Sequence, residues 1–533
     1  MNERRQPLAA IVAIGAVLAA FALAFGDRHG FEGDDVVMLF GIGNFDRVGP
    51  LDVYRYPWQP LAYELLALLA RGLDSAFALM PIGNLAGVAG LVLLLALLAR
   101  VLEGIPRAVG VAALLTLCVP ELMTTALYFN STALALPFFT GSLLVLNGVP
   151  RAPRPWPAAV AAGALASCAC LMRLDFAAAL PFAMAMACLW GGPRWRAALT
   201  AWCIGSATAA LLFLAWKPGL PGAALAILNN YQAGEFADPG HYLLRTLVAT
   251  LGPAIVVVVL LAMGYRRLRR RSGSAPGLRP GRSLALAALS LAPTLAPLPH
   301  LYSGKYLVPF LACALVLVAH AFAQAWHAAS ADERAWRDTM ARPVQFSWLL
   351  LLATLVVGVP ATAGSVGSML TSAFARPRQI GTHDGPRSLG AYLAAARAIR
   401  HGQDRPPYVA FYGELAALVD ACGRDVAVVM PSGPPYAVDA WSWSFLPVYL
   451  QQRGWHLEDF AMLQRARLGQ PRSGRSATVN DARHAPPPAA GRVVLDLREV
   501  PASENYWVAA LAWVQSARTP GADGVPRACA AAR

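Results

Sequence analysis

The sequence predicts a mainly α-helical, polytopic membrane protein of about 11 transmembrane helices followed by a small α/β domain outside the membrane. Three observations carry this expectation. Apolar residues fill 57% of the 533 positions and charged residues only 14%, against roughly 25% charged in a soluble domain. The apolar excess is gathered into long blocks separated by Arg-bearing connections. Near Thr371 the blocks stop, and short mixed segments with Pro and Gly turns begin.

A bilayer core of about 30 Å is crossed by roughly 20 mostly apolar residues of helix. The blocks read as spans are residues 7–25, 79–98, 108–120, 131–146, 158–172, 176–190, 197–216, 243–263, 284–298, 306–326 and 346–370. The first follows the basic start Asn2-Glu3-Arg4-Arg5 and carries no Ala-x-Ala cleavage site ahead of soluble chain, so it reads as a retained span. Net charge is +14, and Lys stands only at Lys217 and Lys305, so the excess is arginine. Alternating the spans from a cytoplasmic N-terminus puts Arg4, Arg5, Arg100, Arg107, Arg151, Arg154, Arg194, Arg196, the run Arg266 to Arg271, Arg279, Arg282, Arg334, Arg337 and Arg342 inside. That is the positive-inside bias of an inner-membrane protein. The Arg266 to Arg271 run directly follows a span and reads as a cytoplasmic anchor, not a nucleic-acid patch. An odd number of spans leaves the C-terminus outside.

Residues 371–533 read as a soluble periplasmic α/β domain. Residues 387–400 have helical spacing, 408–412 and 426–430 read as strands around a helix at 414–420, and 492–497 reads as another strand. Residues 469–491, rich in Arg, Ser, Ala and Pro, read as a mobile loop. Six cysteines (Cys118, Cys168, Cys170, Cys188, Cys203, Cys313) lie in apolar blocks and read as packing residues. Cys422 and Cys529 fall in the outer domain, where an oxidising periplasm allows a disulfide. No CxxC, HExxH, P-loop or GxGxxG is present, so a zinc hydrolase, a nucleotide-driven pump and a dinucleotide enzyme lack their signatures.

Charge that orientation does not explain marks the candidate chemistry. The first outer connection, about residues 26–78, opens with Phe31-Glu32-Gly33-Asp34-Asp35. Adjacent carboxylates repel, which leaves one as a proton acceptor or both neutralised by a cation; the plainer reading is an acidic turn capping a helix at Val36. Downstream, Tyr54-Arg55-Tyr56-Pro57-Trp58-Gln59-Pro60-Leu61 leads into a helix too short to span, with Trp58 and Tyr63 at headgroup level. Glu121, Tyr128, Asn130, Arg173, Asp175, His241, Arg245, His300, Tyr302, Lys305 and Tyr306 collect at outer span ends, where ionisable groups face a cavity or pair with one another. Arg173 with Asp175 also reads as a local ion pair.

An N-terminal span, an outer loop opening on an acidic pair, a Trp-Gln-Pro-Leu segment, many spans, a late basic-Tyr-x-x-Pro element and an outer C-terminal domain resemble the GT-C glycosyltransferases. Within these the chain is most similar to bacterial enzymes of the protein-mannosyltransferase and aminoarabinose-transferase kind, over about residues 1–370. The resemblance implies a polyprenyl-phosphate-linked sugar as donor, a periplasmic glycan, lipid or protein as acceptor, contact with membrane lipids and no nucleic acid. Asp34 and Asp35 match the family's acidic pair, one a general base or, in some branches, part of a divalent metal site (Mg or Mn). Gly304-Lys305-Tyr306-Leu307-Val308-Pro309 matches the element where relatives usually carry Arg-Tyr before a Pro, with Lys as a departure that neutralises phosphate without a bidentate fork. Arg55, Tyr56, Trp58, Gln59, Arg173, Arg245 and His300 complete the candidate substrate-binding set. Two other readings stay open from residues alone: a transporter or flippase of lipid-linked or polar solutes, and a non-catalytic envelope-assembly scaffold.

Overall fold

A computed structural model describes residues 5–25, 38–39, 41–42, 45, 56–73, 76–105, 108–117, 122, 129–190, 194–224, 308–329, 407–422, 426–430, 450, 456–457, 476–481, 493–501, 506–521 and 524–530. Its helices are α1 (Arg5–Phe25), α2 (Pro60–Ala70), α3 (Met80–Val101), α4 (Ala108–Leu117), α5 (Ser131–Gly148), α6 (Pro155–Met172), α7 (Leu180–Trp190), α8 (Trp195–Trp216), α9 (Val308–Ala329), α10 (Pro407–Cys422), α11 (Tyr506–Ala517) and α12 (Arg527–Ala530). Strands β1 (Val426–Met430), β2 (His456–Leu457), β3 (Ser476–Asp481) and β4 (Val493–Asp496) form one sheet. The chain divides into two compact units. One comprises Met1–Gly26, Pro81–Pro377 and Pro386–Ala394; the other comprises Asp27–Met80, Arg378–Gly385 and Ala395–Arg533.

In the first unit, α1 and α3 to α9 fall on eight of the expected spans. The expected spans 243–263, 284–298 and 346–370 lie outside the described residues. Met80–Val101, Ser131–Arg151, Pro155–Met172 and Trp195–Trp216 are long and apolar enough to cross a membrane. Lipid supplies no hydrophobic drive between helices, so association rests on close backbone approach and interhelical hydrogen bonds. Both are present. The Thr140 hydroxyl donates to the Gly90 carbonyl (3.2 Å), and side chains built at Gly83 and Gly90 would strike Phe129 and Leu136. These contacts place α3 and α5 parallel. Ser142 donates to the Ala162 carbonyl (2.7 Å), which with Arg173 near Ser131 sets α6 antiparallel to α5. The α6 and α8 backbones meet at Gly163 and Gly205, where any Cβ would collide with the Trp202 or Val160 carbonyl, while Ser167 hydrogen-bonds to Ser206 (2.6 Å to its carbonyl).

One consequence of this arrangement is chemical polarity. The C-terminal ends of α3 and α5 and the N-terminal ends of α6 and α8 share one end of the unit, and they carry Arg100, Arg151, Arg154, Arg194 and Arg196. There the exposed Arg151 and Glu103 pair at 3.0 Å, a contact of little energetic weight in water. Asn84, Asn130, Arg173 and Asp175 belong to the opposite ends of the same helices.

In the second unit, β2, β3, β1 and β4 lie in that order, all parallel, with Val426 of β1 opposite both Ala477 and Val493. Val426 to Val429 are buried, as expected of a strand covered on both faces, whereas edge strand β4 buries Val493 and Leu495 and shows Val494. The core joins these strands to Phe411, Tyr412, Leu415, Leu418 and Val419 of α10 and to Tyr506, Ala510 and Val514 of α11. Tyr506 donates to the Leu497 carbonyl at 3.1 Å.

Two expectations are corrected here. Residues 408–412 are the first turns of α10, not a strand; their buried positions 411, 412, 415, 416, 418 and 419 continue one helical period through Gly413. Ser476–Asp481, inside the segment expected as loop, is an interior strand, because pairing with β1 and β2 supplies what its composition lacks. The expected helix at 387–400 lies outside the described residues.

A turn through Gly524 (φ 74°) returns the chain after α11, and Cys529 of α12 is disulfide-bonded to Cys422 at the end of α10 (Cα–Cα 5.3 Å).

Gly163→Ala is expected to destabilise the detergent-solubilised protein by about 1–3 kcal/mol by overpacking. Gly141→Ala, whose new Cβ meets Leu93 only at 3.8 Å, should leave the thermal unfolding midpoint unchanged or slightly raised. Replacing Cys422 and Cys529 by Ala opens a link of 107 residues. Loop-closure entropy puts the loss at about 4–5 kcal/mol, read as protease sensitivity of residues 407–530.

Candidate active site

The buried polar group of the first unit is built where α5 starts and α6 stops. Asn130 is extended and caps α5, its side-chain oxygen accepting from the Ala133 N–H at 2.8 Å. Helix α6 ends when Arg173 turns extended, and a 3₁₀ turn at Leu174–Ala179 follows. The Arg173 side chain, only 5% exposed, gives Nε–H to Asp175 Oδ2 (2.8 Å) and Nη1–H to Ser131 Oγ (2.9 Å). Withdrawing a guanidinium from water is costly, and hydrogen-bonded partners of matching polarity make it tolerable.

Thr132 and Asn84 are also buried, and neither the Thr132 hydroxyl nor either end of the Asn84 amide has a partner among the described residues. Buried polar atoms without partners are uncommon in folded proteins. The 3₁₀ turn also packs against α9, whose Phe310 meets Phe182 edge-on at 6.4 Å.

In the second unit Phe45 and the segment around Tyr56 to Ala70 pack through aromatic rings. Phe45, Tyr56 and Tyr63 lie with centroids 5.8 to 6.5 Å apart. Tyr56–Trp58 forms a 3₁₀ turn and Pro60 opens α2, its fixed φ suited to a first helical turn. Tyr56 is enclosed, its hydroxyl donating to Glu64 Oε1 at 2.7 Å, and burial followed by the Glu64 carboxylate pushes its phenol well above the ordinary range. Gln59 is buried and Trp58 half-buried.

Of the residues expected to carry chemistry, Tyr56, Trp58, Gln59 and Arg173 are thus placed, the first three in the second unit and Arg173 in the first. Asp34, Asp35, Arg55, Arg245, His300, Lys305 and Tyr306 lie outside the described residues. Among the described residues no group of three or more His, Cys, Asp or Glu side chains could hold a metal ion. Ser131, Thr132 and Asn84 were not singled out from sequence. A lone Asn in the first turn of an apolar span was the available signal for Asn84.

No family model matches the chain, and no curated protein matches it in sequence. A crystal structure of ArnT from Cupriavidus metallidurans in the apo state superposes with a TM-score of 0.50, at 14% identity, covering 89% of this chain and 90% of that one. The chain has an ArnT-like fold. ArnT from the same organism bound to undecaprenyl phosphate superposes with a TM-score of 0.49 at 14% identity, over 88% of this chain and 89% of that one.

Arg173→Ala is expected to cost about 1–3 kcal/mol, because it leaves the buried Ser131 hydroxyl without its donor and the part-exposed Asp175 unpaired. Arg173→Lys should recover only part of that, lacking the fork that meets Asp175 and Ser131 at once; thermal unfolding of both variants in one detergent checks this. The raised Tyr56 phenol predicts that its contribution to loop packing is complete below its ordinary value of 10.0 and is lost as pH rises through the higher folded value. Tyr56→Phe should remove that alkaline sensitivity, read as hydrogen exchange of residues 56–70 against pH.

Proposed function

We propose that the protein is an integral membrane glycosyltransferase of GT-C type, moving a sugar from a polyprenyl phosphate to an acceptor hydroxyl or amine on the periplasmic side of a bacterial inner membrane. The observation that carries this reading is the ArnT-like fold over nine-tenths of the chain (89%), ArnT being a GT-C aminoarabinose transferase. The segregation of exposed arginines to one end of the helical unit, with buried polar groups at the other, supports the sidedness. So does the grouping of the first outer loop with the C-terminal domain in one compact unit.

Transfer from a lipid phosphate requires a base for the acceptor, cations for the departing phosphate and a site that the lipid enters from the side. Asp34 or Asp35 takes the acceptor proton as the new glycosidic bond forms. Lys305, with Arg55, Arg245 and His300, neutralises the phosphate as the sugar–oxygen bond breaks. In-line displacement inverts the anomeric centre. Arg173, the remaining cation of the candidate substrate-binding set, is paired with Asp175 and Ser131. Tyr56, Trp58 and Gln59 shape the loop that carries the acidic pair. A divalent ion bound by Asp34 and Asp35 would add positive charge beside the phosphate.

Asp34→Asn and Asp35→Asn variants are expected to insert normally, one of them losing about 10²- to 10⁴-fold in transfer rate. Mass spectrometry of a deletion strain should find an accumulated polyprenyl-phosphate sugar and a missing envelope modification. Unchanged lipid-linked sugars, with transfer intact in both Asn variants, would overturn the assignment.

A further inference from the structure

We propose that Asn84 and Thr132 form a neutral hydroxyl-binding position between α3 and α5, taking an oxygen that both donates and accepts hydrogen bonds: a hydroxyl of the transferred sugar, or water when no sugar is bound. Nine Asn, Ser, Thr and Arg side chains are buried among the described residues of the first unit. Seven of them have a hydrogen-bond partner. The two that have none are Asn84 and Thr132, at 1% and 0% exposure. Thr116 and Thr140 satisfy themselves by donating to the carbonyl four residues back, at Ala112 (2.9 Å) and Leu136 (2.8 Å). Thr132 is the second residue of α5, so the carbonyl four residues back belongs to chain ahead of the helix and this local solution is not available within it.

The two orphans fall together. Gly83 meets Phe129 and Gly90 meets Leu136, a constant offset of 46 residues between two parallel helices. The same offset sets Asn84 level with Asn130, two residues from Thr132, about 3 Å along the axis. Both stand at the end of the unit opposite the exposed arginines, beside the Arg173, Asp175 and Ser131 group. An amide and a hydroxyl left unmatched in an apolar interior are costly, and two at one level mark a place for a shared partner. The chemistry of the pair selects that partner. Asn84 offers two N–H donors and an acceptor, Thr132 one of each, and neither carries charge. A phosphate calls for cations, and Arg173 is engaged with Asp175 and Ser131. A metal ion calls for carboxylates, imidazoles or thiolates, and no such group of three occurs among the described residues. A hydroxyl oxygen uses donor and acceptor at once. The position stands whichever reaction the protein performs; its occupation by a sugar hydroxyl rests on the glycosyltransferase reading above.

The test is X-ray radiolysis of the full chain in nanodiscs, with oxidised side chains read by mass spectrometry. Water held at the position supplies hydroxyl radical, so the enclosed Phe129 should be oxidised, while the equally enclosed Phe139, further along α5, should not. In an Asn84→Leu/Thr132→Val variant the Phe129 signal should fall to the Phe139 level. Its thermal midpoint should stay unchanged or rise, because replacing both polar groups leaves no orphan. Thr132→Val alone should lower the signal partway, which keeps the test open if the double variant does not fold. An unoxidised Phe129 in the sugar-free protein would overturn the proposal, as would undiminished oxidation in the folded variants. Adding the polyprenyl-phosphate sugar purified from the deletion strain should protect Phe129, and oxidation unchanged by that lipid would overturn the sugar assignment. If no such lipid accumulates, the glycosyltransferase reading fails, while radiolysis of the sugar-free protein still decides the position.

Discussion

Removing a guanidinium from water is tolerable only if other groups replace its hydrogen bonds, and much of the first unit is arranged around that requirement at Arg173. Its Nε and Nη1 reach a residue two positions along its own chain and the first residue of another helix. That fixes the α6 terminus, the 3₁₀ turn and the capped start of α5 in one arrangement, and the same turn supports α9. A lysine could satisfy one such partner, but the planar fork serves two at once. Thr132 and Asn84, buried and without a hydrogen-bond partner among the described residues, add polar atoms to the same helix ends.

Away from that end the packing is governed by size. Gly163 and Gly205 let two backbones touch where any side chain would collide, and Ser142, Thr140 and Ser167 donate to main-chain carbonyls across or along helices. These residues satisfy polar atoms without bringing charge into an apolar region. Among the described residues of this unit, Arg, Lys, Asp and Glu stand at helix ends, as the cost of burying charge requires. The resulting asymmetry, exposed arginines at one end and enclosed polar groups at the other, is the observation on which the proposed sidedness rests.

The second unit follows different rules. Its parallel sheet needs crossovers and two covering layers, and α10 with α11 supplies one of them. Asp496 caps the turn after β4 and is held below the usual carboxylate range mainly by its hydrogen bond with Arg498. The Cys422–Cys529 link then ties the last helix to the end of α10. In the same unit, Phe45, Tyr56 and Tyr63 pack ring against ring and α2 is buried on one face only.

The sequence by itself determined the helical class, the positions of the spans that are described, and the separation of arginine-rich connections from the others, because hydropathy and charge placement are local and the bilayer reads them directly. It also marked Arg173 and Cys422 with Cys529 as residues of interest, since rare residue types in an apolar chain stand out. Tertiary structure decided what local pattern could not. Ser476–Asp481 is a strand because β1 and β2 flank it, and residues 408–412 are helical because their buried positions run on into 415–419. Tyr56 is an enclosed hydrogen-bond donor, with Glu64 eight residues away as its acceptor. Ser131 became part of the site only when α5 and α6 packed antiparallel and brought it within reach of Arg173, 42 residues on. Pairings across such separations depend on which helix faces meet, and that is settled by packing among all the elements at once.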